Sequence, residues 1–161
     1  MARVEIKDAT TDDDYAAGKI LIEEYADALG VDLCFQGFAD ELIDLRRMYG
    51  PPDGCLLLAR AGAEVAGCVA VRKQDGRTCE MKRLYSKPAF RGEGLGRCLA
   101  EAAIDKACAL GYARMVLDTL PQMVEAQRLY RSLGFKQIAG YYSNPLQGVR
   151  YLVRQLEVEK Q

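Results

Sequence analysis

The sequence predicts an α/β protein, in which helices cover both faces of one mixed β-sheet. Three observations carry this prediction. Apolar runs of strand length and segments of helical period follow one another in the order β-α-α-β-β-β-α-β-α-β-β. Half of the 161 residues are hydrophobic and 28% are charged, so the chain has enough apolar material for a core. No repeat and no Pro-rich or Ser-rich linker interrupts it, and residues 1–161 are therefore expected to form one domain.

The N-terminal segment predicts a strand followed by a helix. Residues 3–7 alternate polar and apolar side chains, as a half-buried strand does. Residues 10–13 supply N-cap candidates for a helix that continues to about Leu29. The apolar side chains that match its period are Ile20, Leu21, Tyr25 and Leu29.

A second helix and three antiparallel strands are expected next. The helix covers residues 38–47 and precedes a dense turn signal at residues 49–54. Turns at residues 61–63 and 74–77 then separate three short apolar runs, which predicts a meander of neighbouring strands. These strands are expected at residues 55–59, 64–72 and 78–85.

The C-terminal half predicts the parallel part of the sheet. A long helix at residues 94–109 joins the third strand of the meander to a strand at residues 114–118, and such a crossover makes the two strands parallel. A helix at residues 122–133 and two last strands, 135–138 and 149–155, complete the chain. The expected sheet is thus antiparallel at its N-terminal strands and parallel at its central pair.

Composition excludes several functional classes. Histidine is absent, which rules out Ser-His-Asp and Cys-His triads and histidine metal sites. The six cysteines form no CxxC pair and have apolar neighbours, so they are expected to be buried thiols, reduced in a cytoplasmic protein, with no metal bound. A net charge of −1 and the lack of a membrane-length apolar stretch argue against nucleic acid and membrane as partners.

The segment from Glu80 to Arg97 carries the strongest chemical signal. It runs from a strand through a turn with glycines at 92, 94 and 96 into a helix, whose first N–H groups lack internal partners. Residues 92–97, here called the glycine turn, therefore predict an anion site flanked by Arg91 and Arg97. No Walker A motif is present, and Arg97 stands where a dinucleotide fingerprint needs its third glycine. A turn that only caps the helix remains the alternative.

Two motifs in this order resemble a known family. Arg91-x-x-Gly94-x-Gly96 is similar to the Gln/Arg-x-x-Gly-x-Gly/Ala signature of the GNAT superfamily of acyl-CoA-dependent N-acetyltransferases. The segment from Glu125 to Phe135 resembles the A-x-x-L-Y-x-x-L-G-F helix of that family. The resemblance implies a GNAT-like fold and direct transfer of an acetyl group from acetyl-CoA, the co-substrate, to a primary amine of a small molecule or peptide. No covalent enzyme intermediate and no metal are implied.

The resemblance also implies which residues hold the coenzyme. In the family, the strand before the glycine turn offers its backbone to the pantetheine arm, and the turn binds the pyrophosphate. The implied pantetheine contacts are Leu84, Tyr85 and Ser86. The implied phosphate contacts are Arg91, Gly92, Glu93, Gly94, Leu95, Gly96 and Arg97. Many family members also carry an asparagine where this chain has Met123, which puts that coenzyme contact in doubt.

Two residues are the implied catalytic groups. Tyr130 matches the family tyrosine that protonates the leaving thiolate, and its phenol is protonated at neutral pH. The alternative for Tyr130 is an aromatic of the core. Glu80 matches a strand glutamate that takes the amine proton directly or through water in some members. The alternative for Glu80 is an ion pair with Lys82 or Arg83.

Specificity residues are expected in two loops. Tyr141, Tyr142 and Asn144, before the last strand, are candidates for the acceptor mouth, or else a hairpin with capping side chains. Phe35 and Gln36, between the first two helices, are candidates from the region that covers the acceptor in relatives. A non-catalytic acyl-CoA sensor and a nucleotide-binding interaction domain remain alternative functions, and the chain is compatible with a monomer or a homodimer.

Overall fold

Seven strands form a single mixed sheet in the computed structural model, which describes residues 3–30, 37–144 and 146–156. The strand order is β1-β2-β3-β4-β5-β7-β6. The strands are β1 (Val4–Asp8), β2 (Cys55–Ala61), β3 (Glu64–Lys73), β4 (Thr78–Ser86), β5 (Arg114–Thr119), β6 (Lys136–Ile138) and β7 (Arg150–Gln155). β4 and β5 run parallel, and the other neighbouring strands of the described sheet run antiparallel. The predicted mixed sheet with a central parallel pair is confirmed.

Helices pack on both faces of this sheet. They are α1 (Asp12–Leu29), α2 (Phe38–Ile43), α3 (Leu45–Tyr49), α4 (Leu95–Ala109) and α5 (Val124–Ser132), with a short 3₁₀ turn at Pro88–Phe90. One face of β2 to β4 packs on α1 and α3 through buried side chains such as Leu21, Tyr49 and Leu56. The other face packs on α4 and α5 through Leu99 and Tyr130 among others. No helix of the described ranges is long and apolar enough to cross a membrane.

The first helix begins where its polar N-cap signal predicted. The Thr11 hydroxyl accepts a hydrogen bond from the Asp14 backbone N–H at 3.1 Å. In return, Oδ2 of Asp14 accepts hydrogen bonds from the N–H groups of Thr10 and Thr11 at 2.9 and 3.2 Å. The second oxygen of Asp14 binds Arg60 of β2 at 2.9 Å. This capping box therefore fixes the helix start and ties it to the sheet.

The predicted second helix, residues 38–47, is wrong in one respect. The helix is interrupted at Asp44. The backbone angles of Asp44, φ −147° and ψ 84°, are not helical and end α2. The Asp44 carboxylate then accepts a hydrogen bond of 3.0 Å from the N–H of Arg47 and caps α3. An aspartate side chain that hydrogen-bonds to nearby backbone competes with continuation of the helix. At Asp44 this side-chain bond forms, and a new helix begins.

Three expectations about burial are also wrong. Ile20 matches the period of α1 but is 59% exposed, because Tyr15, Leu21 and Ile22 form the packed face. β1 is an edge strand whose side chains are mostly exposed rather than half-buried. The expected burial of all the cysteines is wrong for Cys98, which is exposed near the start of α4, and for Cys108, which is partly buried. Cys55, Cys68 and Cys79 are buried as expected, whereas Cys34 lies outside the described residues.

The two parallel strands separate soon after they pair. Their register comprises Thr78 with Arg114, Cys79 with Met115 and Glu80 with Val116, and it ends there. Beyond it, the C-terminal halves of β4 and β5 each leave one backbone edge without a strand partner. A wedge-shaped gap consequently opens at the middle of the sheet.

A bulge between β3 and β4 lies beside this gap. Cys68 pairs with Tyr85 and Ala70 pairs with Lys82, so Val69 faces two residues, Arg83 and Leu84. Arg83 has a φ of 59°, which a side chain larger than glycine rarely adopts. The bulge turns Arg83 towards α1 and α2, and Leu84 remains packed on the opposite core.

Candidate active site

Two adjoining cavities occupy the gap between β4 and β5. The long groove, of about 600 Å³, is lined by residues 84–86, by the glycine turn and by the start of α5. The inner cavity, of about 40 Å³, is lined by Lys82, Arg83, Asp118, Tyr130 and Asn144 among others. Both are bordered by the same four residues, Tyr25, Leu29, Leu84 and Met123, so the groove leads towards the inner cavity.

The glycine turn presents a row of free donors to the long groove. Gly92 and Gly94 have φ values of 86° and 82°, and α4 begins directly afterwards at Leu95. The backbone N–H groups of residues 92–97 make no hydrogen bond with any described residue. Because the helix dipole is positive at this end, the donors suit an anion.

Most of the residues expected to hold a coenzyme line the long groove. Those that do are Leu84, Tyr85, Ser86, Arg91, Gly92, Gly94, Leu95 and Gly96. Glu93 and Arg97 are not among the lining residues, although their backbone belongs to the same turn. Met123, the departure from the family pattern, lies just before α5 and lines both cavities with a side chain that cannot donate a hydrogen bond.

The two arginines of the turn are placed differently. Arg91 donates from Nε to the Ser86 carbonyl at 3.0 Å, and its guanidinium lies 5.7 Å from the centroid of the Tyr85 ring. This arrangement keeps the charge of Arg91 at the rim of the long groove. The side chain of Arg97 turns away, with Nη2 at 2.6 Å from the Ser132 hydroxyl and an ion pair to Glu101 of 3.5 Å.

Tyr130 belongs both to the core and to the wall of the inner cavity. Its side chain is 6% exposed and packs edge to face on Phe135, with ring centroids 5.7 Å apart. Its hydroxyl makes no hydrogen bond with a residue in the described part of the chain. Burial raises the pKa of Tyr130 above its usual value, so the phenol carries its proton at neutral pH. The site role and the core role suggested by the sequence are therefore compatible.

Glu80 is held at both carboxylate oxygens. It is 1% exposed in the middle of β4. Oε1 accepts a hydrogen bond of 2.8 Å from Nε of Arg72, which faces Glu80 in the sheet register, and Oε2 accepts one of 2.6 Å from the Tyr141 hydroxyl. An ion pair was one of the sequence-based alternatives for Glu80, but this partner is on β3 and is neither Lys82 nor Arg83.

Of the three candidates in the loop before β7, Asn144 lines the inner cavity, whereas Tyr141, like its partner Glu80, and Tyr142 line neither cavity. The Tyr142 hydroxyl donates to Oδ2 of Asp118, and Asn144 donates to the Tyr142 hydroxyl at 3.0 Å. The rings of Tyr141, Tyr142 and Tyr151 pack edge to face, with centroids 5.1 to 5.5 Å apart. The loop is thus more than a capped hairpin, because it contacts the carboxylates of both β4 and β5. Phe35 and Gln36 lie outside the described residues.

Sequence reasoning missed four charged residues of the site. Arg83 and Glu41 form a buried ion pair, and Lys82 and Asp118 line the inner cavity. Burial lowers the pKa of Lys82 below its usual value. The sequence did contain a signal for two of them: residues 80, 82 and 83 are all charged, within an otherwise apolar strand. Charged side chains are rarely buried without a partner, so this cluster indicated buried ion pairs. Glu41 offered no comparable signal in its short helix.

The chain belongs to the GNAT acetyltransferase family, whose family model matches residues 19–135. An uncharacterised N-acetyltransferase of Schizosaccharomyces pombe is 47% identical over 144 residues, which cover 88% of this chain and 87% of that protein. The crystal structure of an acetyltransferase from Streptococcus agalactiae is similar with a TM-score of 0.78 and 26% identity, and the match covers 95% of this chain and 98% of that one.

A third comparison concerns a structure with a bound coenzyme. The acetyltransferase-like protein yncA of Salmonella typhimurium, solved with its cofactor acetyl-CoA, has a TM-score of 0.70 and 23% identity, and the match covers 99% of this chain and 98% of that one. At this identity the likeness concerns the fold. The GNAT-like fold implied by the two sequence motifs is confirmed.

Proposed function

We propose that the protein transfers an acetyl group directly from acetyl-CoA to a primary amine of a small molecule or peptide. The observation that carries the proposal is the row of free N–H donors at residues 92–97, at one end of a groove that leads to Tyr130. The family and the acetyl-CoA bound to a similar fold support this choice of ligand. The groove holds the coenzyme, and the inner cavity holds the amine.

The long groove suits each part of the coenzyme. The pyrophosphate would accept hydrogen bonds from the glycine turn, with Arg91 adding charge at the rim. The pantetheine arm would lie along the unpaired edge of β4 at residues 84–86, where its amides replace a missing strand partner. This arrangement directs the thioester towards Tyr130.

Tyr130 would serve as the general acid. When the amine nitrogen attacks the thioester carbonyl, the C–S bond breaks and the sulfur leaves as a thiolate. The phenol of Tyr130 gives its proton to that sulfur; burial raises the pKa of Tyr130, so the phenol still carries this proton when the thiolate forms. The products are the amide and free CoA.

Glu80 would receive the proton that the amine must lose. An acceptor cannot touch the carboxylate directly, because Glu80 is 1% exposed and Tyr141 covers Oε2. We place the partly exposed Tyr141 hydroxyl between the two: it takes a proton from the amine and passes its own proton to Glu80. Arg72 holds the other oxygen and fixes the carboxylate for this step.

A non-catalytic acyl-CoA sensor is the alternative function. Such a protein needs the glycine turn but has no need for a buried acid beside the thioester or for a carboxylate linked to a hydroxyl. Tyr130 and the Tyr141–Glu80 bond therefore favour catalysis.

Calorimetric titration with acetyl-CoA and thiol release against a panel of amines test the proposal. We expect micromolar binding and amine-dependent release of CoA, with kcat lowered about 100-fold or more in Tyr130→Phe while the acetyl-CoA Kd is unchanged. Binding without release from any amine would support the sensor. Absence of binding would overturn the proposed function altogether.

A further inference from the structure

We propose that the amine acceptor carries a carboxylate, as an amino acid does, and that the edge of the Arg83 guanidinium away from Glu41 binds it. This inference rests on the proposed function and names the substrate class for the inner cavity. It starts from the unusual placement of Arg83, which combines a φ of 59° with a side chain that is only 2% exposed. Strained backbone of this kind persists where the surroundings enforce it, and such places are often binding sites.

Glu41 occupies one edge of the Arg83 guanidinium. Nε and Nη2 donate to the two carboxylate oxygens of Glu41, each at 2.9 Å. The rings of Tyr25 and Phe38 lie 5.9 and 5.3 Å from the guanidinium carbon and flank it. Nη1 takes no part in the bonds to Glu41, and the side chain of Tyr25, which also lines the inner cavity, is a hydrogen-bonding neighbour of the guanidinium.

Arg83 and Tyr25 both line the inner cavity. A ligand in this cavity would reach Nη1, on the side of the guanidinium that Glu41 does not cover. A donor of this kind, on a buried guanidinium already oriented by Glu41, matches a carboxylate oxygen.

The charges around the inner cavity suit a molecule with both an anionic and an amino group. Lys82 and Arg83 lie on the β4 side, and Asp118 lies on the β5 side. Glu41 balances Arg83, so Lys82 and Asp118 supply one charge of each sign. A carboxylate on the β4 side would leave the amine near Asp118 and Tyr130, where the thioester is expected.

A purely structural role for the pair predicts something different. If Arg83 and Glu41 only attach α2 to the sheet, their removal changes stability and leaves the choice of acceptor unaffected. The selectivity between an acid and its uncharged analogue therefore separates the two roles.

The test compares amino acids with their carboxamides as acceptors, at saturating acetyl-CoA, by thiol release. We expect kcat/KM to be about 100-fold higher for the acid of the best pair, because an uncharged amide leaves the guanidinium edge poorly paired. In the doubly neutral variant Arg83→Gln with Glu41→Gln, the ratio should fall to a few-fold, with acetyl-CoA affinity retained. Equal turnover of acid and amide by the wild type, or an unchanged ratio in a folded double variant, would overturn the inference.

A binding measurement keeps the inference testable if the double variant does not fold or no acceptor in the panel is acetylated. N-acetylglycine and N-acetylglycinamide are added to the wild-type protein saturated with CoA, and Tm is recorded. A larger rise with the acid supports a carboxylate site, and equal shifts or none contradict it. If acetyl-CoA itself fails to bind, the proposed function fails first, which distinguishes the two failures.

Discussion

The hydroxyl of Tyr141 donates a 2.6 Å hydrogen bond to Glu80, a residue 61 positions earlier in the chain. Arg72 holds the other oxygen of the carboxylate at 2.8 Å. Glu80 is thus oriented from both sides and shielded from solvent, whereas Tyr141 remains partly exposed. In the proposed mechanism a proton reaches Glu80 through this hydroxyl, because Tyr141 covers Oε2 while Arg72 holds Oε1.

Removal of the Tyr141 hydroxyl should therefore mimic removal of the carboxylate. We expect Tyr141→Phe and Glu80→Gln each to lower kcat about 100-fold with little change in the acetyl-CoA Kd. The double variant should be no slower than the worse single variant, because the two groups act as one unit. Steady-state thiol release measures all three.

Tyr112→Phe is the matched control for this series. The Tyr112 hydroxyl also donates to a partner, but this partner is the Asp53 carbonyl, a backbone group that cannot take up a proton in the reaction. Its loss should lower stability and leave kcat unchanged. Strictly additive losses in the Tyr141 and Glu80 variants would contradict a shared proton path.

The glycine turn should be sensitive to a single methyl group. Gly94→Ala places a β-carbon at a φ of 82° on the wall of the long groove, and we expect the acetyl-CoA Kd to rise about tenfold or more. Gly111→Ala, at the other end of α4, has a φ of 90° and equally open surroundings. Both variants should lose about 1 kcal/mol of unfolding free energy. Calorimetry that finds equal weakening of coenzyme binding in both would argue against the turn as the phosphate site.

The buried ion pair of Arg83 and Glu41 should matter far more for stability than an exposed pair. Glu41→Gln leaves the Arg83 charge in a site that is 2% exposed, and we expect a loss of about 3 kcal/mol in unfolding free energy. Glu101→Gln removes an ion pair on the surface of α4 with about half of each side chain exposed, and it should change stability by less than about 0.5 kcal/mol. Urea unfolding measures both, and comparable losses would refute the contrast.

Stability should depend on pH through Asp14. Hydrogen bonds from the backbone N–H groups of Thr10 and Thr11 lower the pKa of Asp14 from its ordinary 3.8 to about 2. The folded carboxyl therefore holds its proton less tightly than the unfolded one. Its stabilising effect is present above pH 3.8 and disappears as the pH falls towards 2.

Asp14→Asn should accordingly destabilise the protein at pH 7, and the difference from wild type should shrink between pH 4 and pH 2. Asp13→Asn is the control, since Asp13 lies in the same first turn without a hydrogen bond or ion pair to a described residue. Unfolding free energies at several pH values measure the effect. A constant difference across this range would show that the cap does not act through ionisation.

Local patterns explain why so much of the fold could be predicted from the sequence. The turns and the periodicity of the apolar residues depend on neighbours in the chain, and they indicated the strands and the long helices in the right order. The glycine turn and Tyr130 were also recognisable, because each belongs to a short motif. Asp44 was not recognised as a helix break, since aspartate within a helical pattern allows either outcome.

Long-range pairing explains what was missed. Arg83 meets Glu41 across 42 residues, and the contact depends on a bulge that shifts the register by one residue. Tyr142 meets Asp118 across 24 residues through a loop conformation. No local pattern encodes either contact. The sequence marked Glu80 as a charge in an apolar strand but could not indicate that Arg72 and Tyr141 hold it.

Only three residue pairs of the described sheet join β4 to β5, so its two halves can unfold with limited cooperativity. The strands β5, β7 and β6 form a sheet segment that is joined to the remaining four strands through this short contact and the packing around it. A molecule that hydrogen-bonds along the gap would link the two segments. Amide hydrogen exchange in β7, at Leu152 and Val153, should therefore slow when the long groove is filled, although neither residue lines it.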